Sequence, residues 1–353
     1  MKSTLAAIFL LVLSVSALSQ EKPITQSEYV KILYSLQKDP SVKTELIDAL
    51  RKRGIAFQLT DGLRGLTRSK GGNDEELKRA LEEAERRRKD PEASRLPSSE
   101  EGVAVLEKAR SLAMLALDEM PDFVVKQLVS RFGAFAGTGN WRTLDTLVIA
   151  VSYHSEKGEQ YRVIAKNGVA VPDAKPGESY FGLGGATSTG QFVENLATIF
   201  KATSKTRFDL LTTDVLRGRR TLVYEYVINI ENNKGRGITY VNGSFRQSSP
   251  AGEKGRIWID RETFRILRIE NQSTDITPRF PITATATSID FDVVEIANEK
   301  YLLPTISDVR FTVQDSDRRF ETKNVIRFKN YQRYGSDVKI VEEDMEPVPD
   351  EKP

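Results

Sequence analysis

The chain has 353 residues, 39% of them hydrophobic and 29% charged, a balance that suits globular domains with a sizeable core. Lys and Arg number 52 against 50 Asp and Glu, so with a net charge of +2 no strong field selects nucleic acid or anionic lipid. Cysteine is absent, which excludes disulfides, thiolate metal sites, a catalytic thiol and a lipidated N-terminal cysteine.

In chain order, residues 1–19 read as a secretory signal. Lys2 supplies the positive start, Leu5 to Ala17 a short apolar run, and Ala17-Leu18-Ser19 a small-x-small cleavage site before Gln20. The run is too short to anchor in a bilayer, which takes about 20 apolar residues. Residues 20–89 read as a small helical domain. Thr25-Gln26-Ser27-Glu28 is a capping box for a helix bearing Tyr29, Ile32, Leu33 and Leu36. Ser41 opens a second helix with Leu46, Ile47 and Leu50, and Gly54 stands at its end. Ile55 to Thr60 reads as extended, and Asn73 starts a last helix over Asp74 to Lys89. The run Arg86-Arg87-Arg88-Lys89 reads as a solvated helix end whose charges suit the helix dipole.

Residues 90–101, DPEASRLPSSEE, read as a polar linker. An apolar stripe at Val103, Leu106, Ala109, Leu112, Ala113 and Leu117 then predicts a helix that stops at Pro121. From Phe123 the apolar period changes from 3.6 to 2, and strands dominate. Leu147, Ile149, Val151 and Tyr153 alternate, as do Leu222, Tyr224, Tyr226, Ile228 and Ile230. The clearest hairpin is GRIWIDRETFRILRIE, Gly255 to Glu270, where Asp260 can bond the backbone of its own turn. Hairpins on either side make Arg219 to Tyr334 one antiparallel meander. A single helix with Phe192, Val193, Leu196, Ile199 and Phe200 on one face interrupts the strands, after the glycine-rich loop Gly182–Gly185. Its face is predicted to cover the strand face bearing Leu222, Tyr224, Tyr226 and Ile228. Residues 341–353 read as a disordered acidic tail.

No constellation for catalysis emerges. His154 is the only histidine, no G-x-S-x-G occurs, and a strand-end role suits it. Gly182–Gly185 lacks the lysine a phosphate loop needs, so it reads as a hinge. Asp290 and Asp292 share one strand face and read as solvated outer residues. Trp258 is either a core anchor or a cavity-wall aromatic. The residues imply no metal and no cofactor.

From about Leu112 to Ile340 the chain resembles uncharacterised exported bacterial proteins related to the outer-membrane lipoprotein-sorting carriers. The matching residues are the amphipathic helix before the first strand, Ser188-Thr189-Gly190-Gln191-Phe192, Gly255-Arg256-Ile257-Trp258-Ile259-Asp260 with Thr263, Tyr301-Leu302-Leu303-Pro304, and Asn330-Tyr331. Residues around Arg53-Gly54-Ile55-Ala56-Phe57 resemble a helical module found at the N-termini of other exported bacterial proteins. The carrier resemblance implies an α+β fold over residues 102–340: a strongly curved antiparallel sheet, an incomplete barrel, with covering helices and an apolar cavity for acyl chains. The expected function is that of a non-catalytic exported binding or carrier module for an acylated or apolar ligand, in the periplasm or secreted. The alternative is a structural or protein-interaction module with a solidly packed interior, its N-terminal helices docking an envelope protein. Candidate cavity and lid residues are Phe192, Leu196, Phe200, Leu222, Tyr224, Tyr226, Ile228 and Trp258. Expected partners are an acyl chain or a lipoprotein, with no nucleic acid and no transmembrane segment.

N-terminal sequencing of the exported protein is expected to begin at Gln20; a membrane-retained product starting at Met1 contradicts the cleavage reading.

Overall fold

The computed structural model describes residues 22–36, 39, 41–171, 192, 194–233, 237–242, 245–315 and 317–334. The expected signal at 1–19, the loop 182–185 and the tail 341–353 lie outside them, as does Val193. The chain divides into two compact units, Met1–Arg95 and Leu96–Pro353.

Among its described residues the first unit holds four helices, α1 (Gln26–Ser35), α2 (Val42–Arg53), α3 (Asp61–Lys70) and α4 (Glu75–Lys89). The Thr25 capping box forms as expected, its hydroxyl accepting from Glu28 N and the Glu28 carboxylate from Thr25 N. Ile55 pairs in parallel with Ile24, on either side of α1 and α2. In the core the Tyr29 hydroxyl donates to Thr67 Oγ1 at 2.8 Å, while Thr67 donates to Leu63 O. Burial pushes the Tyr29 hydroxyl up to about 12.

Two expectations here are corrected. Helix α3 was not foreseen, because Gly62 and Gly65 weaken its local propensity; Thr60 caps it, and Leu63 and Thr67 are buried, so packing outweighs propensity. The basic run is also not simply solvated. Arg86 and Arg88 lie 2.6 Å and 2.8 Å from the carboxylates of Glu83 and Glu85, and Arg87 donates to Arg51 O. Burial lowers the Arg87 pKa from its ordinary value.

The second unit is an α+β domain built on one antiparallel sheet. Helix α5 (Ser99–Asp118) comes first, its N-terminus capped by Ser98 Oγ, so the helix begins inside the stretch expected as a linker. The strands are β1 (Phe123–Phe135), β2 (Arg142–His154), β3 (Gly158–Lys166), β4 (Val169–Ala170), β5 (Arg207–Leu216), β6 (Arg219–Ile228), β7 (Gly237–Asn242), β8 (Phe245–Pro250), β9 (Gly252–Asp260), β10 (Ile266–Thr274), β11 (Ile282–Ile296), β12 (Glu299–Asp315) and β13 (Arg318–Arg333). Helix α6 (Glu194–Phe200) lies between β4 and β5. No helix among the described residues is long and apolar enough to cross a membrane.

Eleven strands form one sheet in the order β4-β3-β2-β1-β13-β12-β11-β10-β9-β6-β5, while β7 and β8 pair separately as a two-stranded ribbon. The order starts at β4 and ends at β5, so the sheet is not closed into a barrel. The expected meander is present with one insertion, because the β7–β8 ribbon sits between β6 and its partner β9. The hairpin at 255–270 forms around Asp260, whose Oδ1 accepts from the N–H groups of Glu262 and Thr263. Phe264 takes a φ of 60° there, so the second strand starts at Ile266 rather than at Phe264. Ile230 likewise leaves the strand alternation for a short 3-10 turn.

One register row crosses the sheet from β5 to β2. Leu210 faces Tyr224, and Tyr224 faces Ile257. Ile269, Ile289 and Ser307 follow, then Ile326, Val129 and Leu147. Because strand side chains alternate between faces, residues in one register row share one face of the sheet. That face carries the core.

Helix α5 covers part of it with Val105, Leu106, Ala109 and Ala113, packed in one cluster with Tyr224, Ile257, Ile269 and Ile289. At Gly102 the helix comes close enough for Tyr224 Oη to donate to Gly102 O at 2.8 Å. A fragment of residues 96–334 is therefore expected to fold alone, with a β-rich circular dichroism spectrum and a cooperative thermal transition. A fragment of 119–334 lacks α5 and should lose that transition; a cooperative 119–334 fragment would show that α5 is dispensable.

Candidate functional site

The helix-covered face divides into two apolar clusters that meet along the central row. In the first, Leu196, Ile199 and Phe200 of α6 pack with Leu222, Tyr224, Tyr226 and Ile228 of β6. All seven are at most 4% exposed. The face of α6 and the inner face of β6 thus meet. Tyr226 lies over Gly255, where an added Cβ would stand 2.7 Å from its ring, and its hydroxyl donates to Glu253 Oε1 at 2.6 Å. Glycine is needed in the GRIWID strand because the Glu270 carbonyl and the Tyr226 ring occupy the place of a side chain. Burial pushes the Tyr224 hydroxyl up to about 12.

The second cluster holds Phe192, in the turn before α6. Its ring centroid lies 5.2 Å from Phe123, 5.4 Å from Phe328 and 6.3 Å from Tyr331, each pair edge-on. The Phe192 N–H donates to Glu159 Oε1 of β3, and Tyr161 Oη donates to the other oxygen. Tyr331 donates to Pro304 O at 2.6 Å, and burial raises its pKa well above the ordinary value. Phe192 is therefore brought near α6 as expected, but against β1 and β13 rather than β6.

Trp258 does not belong with the other candidates. It packs with Leu216, Val223 and Leu267 on the opposite face, since Ile257 and Ile259 on either side point to the helices. Its indole donates to Asp214 Oδ2 at 3.0 Å, and the Arg268 guanidinium lies 5.9 Å from the ring. Arg268 also grips Asp290 with two bonds of 2.6 and 2.8 Å. Asp290 is thus a paired carboxylate rather than a solvated one, whereas the Asp292 side chain is 57% exposed. The strand alternation that predicted outer-face positions gave no sign of the cross-strand partner.

His154 ends β2, with Nδ1 3.1 Å from Asp122 Oδ2. The Ser155 N–H, followed by His154, holds the Asp122 carboxyl below its ordinary value. The pair ties β2 to the start of β1.

Sequence reasoning missed three groups on the covered face. Arg131 of β1 and Asp145 of β2 face each other in register and form two bonds of 2.6 Å, with Lys166 Nζ 3.4 Å from the same carboxylate. Arg131 above all holds the Asp145 carboxyl below the usual range. Gln127 and Ser307 are both 0% exposed, and among the described residues neither side chain has a hydrogen-bond partner. The only available signal was a polar residue in an apolar alternation, Val125-x-Gln127-x-Val129-x-Arg131. A separate open cleft of about 990 Å³ is lined by Phe135, Thr283, Gln314, Arg318, Arg319 and neighbours, none of them in α6.

No protein family matches the chain in sequence, and no curated protein does. Among solved structures it is similar to a DUF1329 family protein from Desulfovibrio piger, at 13% identity over 66% of this chain and 95% of that one, with a TM-score of 0.29. The Mycobacterium tuberculosis lipoprotein LppX follows at 10% identity, covering 65% and 94% with a TM-score of 0.23. A MucA/MucB complex structure from Pseudomonas aeruginosa is similar at 12% identity, covering 63% and 94% with a TM-score of 0.18. At these scores the likenesses assign neither a ligand nor an activity.

Replacing Asp145 by Asn is expected to destabilise the domain by about 3 kcal/mol at pH 7, because it leaves the Arg131 charge buried without its partner. The Asp145 pKa is lower in the folded state, so its stabilisation is complete above the unfolded value of roughly 4 and fades as pH falls through the folded one. Urea unfolding at pH 7 and at pH 3 should show the gap between wild type and variant closing in acid; a gap independent of pH contradicts this.

Proposed function

We propose that the second unit is a non-catalytic binding or carrier module for an acylated or otherwise apolar ligand, exported to the bacterial envelope. The observation that carries this reading is the cover on the sheet. Among the described residues helix α6 spans seven, Glu194–Phe200. A helix shorter than about 12–15 residues does not hold on its own in water, so α6 depends on the buried contacts of Leu196, Ile199 and Phe200. Lifting it would bare a continuous apolar face, which an acyl chain could cover again with the same gain from excluded water. The export part of the reading rests on the residues of the 1–19 segment. The absence of a catalytic role rests on the single histidine, whose imidazole is engaged with Asp122.

A second reading, a structural or interaction module, is favoured by the near-complete burial of the same side chains, such as Leu222 at 0% and Leu196 at 3% exposure. A face already closed by its own helix needs no ligand.

Leu196→Asp separates the two, since burying that charge costs several kcal/mol unless the helix moves away. Under the carrier reading the helix lifts, so the domain keeps its thermal transition within roughly 5 °C while uptake of a fluorescent fatty acid falls at least tenfold. Under the structural reading wild type takes up no fatty acid and the variant unfolds. That second pattern sinks the carrier proposal.

A further inference from the structure

The end of the β1–β2 hairpin differs in chemistry from its neighbours. Residues 132–144 read FGAFAGTGNWRTL, with Arg142 as the only charge. The β2–β3 turn, by contrast, holds Glu156 and Lys157, and the β9–β10 turn Asp260, Arg261 and Glu262. Phe135 and Leu144 are each 57% exposed. They are neighbours on one face of the hairpin. An added Cβ at Gly133 would stand 3.4 Å from Leu144, and Phe135 follows Gly133 by two strand positions. Phe132 points to the opposite face, where Lys323 Nζ lies 4.8 Å from its ring and 4.7 Å from that of half-buried Trp141.

Apolar side chains exposed singly are ordinary, whereas a cluster at one hairpin end marks a contact surface. Much of the backbone there is already bonded. Phe135 O accepts from the Thr138 N–H at 3.2 Å and from the Thr138 hydroxyl at 2.8 Å. The Trp141 N–H donates to Gly139 O, and the Ala136 N–H to Arg319 O, each at 3.0 Å. Such a segment leaves water at a low cost in lost backbone bonds. The base of the hairpin is positive. On β1–β3 the cations Arg131, Arg142 and Lys166 stand against one carboxylate, Asp145. On the β13 side Glu321 offsets Lys323, and Asp315 and Asp317 offset Arg318 and Arg319.

We infer that this hairpin end is a membrane-docking tip, which seats Phe135, Trp141 and Leu144 in the headgroup layer of a bilayer bearing anionic phospholipid. Tryptophan suits that layer, because its ring is apolar while its N–H stays wet. The surplus cations of β1–β3 then meet the lipid phosphates, and each cation near such a surface adds to binding. With a net charge of +2 the whole chain supplies little long-range pull. The apolar tip therefore does most of the holding, and the contact is reversible. The inference stands on the hairpin alone and does not need the carrier reading.

The test uses the chain from Gln20 onward, because the apolar run within residues 1–19 would bind vesicles by itself. Vesicles of phosphatidylethanolamine with phosphatidylglycerol, and of phosphatidylcholine alone, are floated with three proteins: wild type, the double variant Phe135→Ser with Leu144→Ser, and Arg142→Glu. Lipids brominated in the upper acyl chain report insertion by quenching tryptophan fluorescence. Of the two tryptophans, Trp258 is 2% exposed and bonded to Asp214, so quenching reports Trp141. Wild type is expected to float with the phosphatidylglycerol vesicles and to be quenched. The double variant should partition roughly tenfold less, the value of about one apolar side chain returned to water. Arg142→Glu should lose the preference for phosphatidylglycerol, and all three proteins should melt alike. No flotation of wild type, equal flotation with both vesicle types, flotation without quenching, or flotation that survives the double variant overturns the docking tip. A double variant that melts well below wild type also overturns it, because the two side chains then serve the fold. A dimer in sedimentation without lipid, abolished by the double variant, assigns the tip to a second copy of the chain and overturns it too. Fatty-acid uptake enters none of these readouts, so the carrier reading stands or falls separately.

Discussion

The second unit depends on a single constraint: one face of its sheet must be kept from water. The row from Leu210 to Leu147 places apolar side chains on successive strands of that face, interrupted in the middle by Ser307. Each such side chain is worth about 1.5–3 kcal/mol when fully buried, so the face cannot stay bare. Helix α5 meets the demand with a stripe of mostly small residues, Val105, Ala109 and Ala113, which lets it lie close to the strands. Helix α6 meets it with Leu196, Ile199 and Phe200. The long helix adds the Tyr224–Gly102 hydrogen bond to its packing. The short one packs through Leu196, Ile199 and Phe200, and its Ile199 carbonyl accepts from the Thr206 hydroxyl.

The pairing of β1 with β13 turns two meanders into that one face. These are the first and last strands of the domain, and their register runs from Phe123 opposite Arg333 to Phe135 opposite Phe320. Without it, the Tyr153–Phe123 half and the Tyr226–Ile289 half would be separate sheets, each with an unprotected edge. The joint is fastened at one end by polar contacts. Asp122 accepts from Ser155 N and lies against His154, while its carbonyl accepts from Tyr334 N at 3.0 Å. The Tyr334 ring stands edge-on to His154 at 4.2 Å. The only histidine is therefore a fastener between strands.

Polar groups on the two faces are treated differently. On the face bearing Trp258, charges are matched: Arg268 with Asp290, Arg219 with Asp260 at 2.7 Å, and the indole with Asp214. On the covered face Arg131 and Asp145 are matched in the same manner. Among the described residues Gln127 and Ser307 have no side-chain hydrogen-bond partner. A protein whose interior served stability alone would gain by replacing them with apolar residues. This contrast is the physical basis for reading the covered face as a site.

What could be read from the sequence was what local chemistry decides. The Thr25 capping box, the Asp260 turn, the alternation at Leu222–Ile228 and the apolar face of α6 each rest on residues a few positions apart, and each forms. The α+β class with a large antiparallel sheet followed from the same patterns. The existence of α3 did not, since Gly62 and Gly65 argue against a helix that buried Leu63 and Thr67 sustain. Tertiary structure alone decided which strands became neighbours, and hence that Phe192 closes on Phe123 and Phe328 while Leu196 closes on β6. It also sent Trp258 to the far face, and placed Gln127 between Ile149 and Phe328. The reason is one of range. Propensity, capping and periodicity act over a few residues, whereas a cross-strand partner such as Asp290 for Arg268 or Phe320 for Phe135 is chosen by the whole sheet, and nothing near the residue in sequence records the choice.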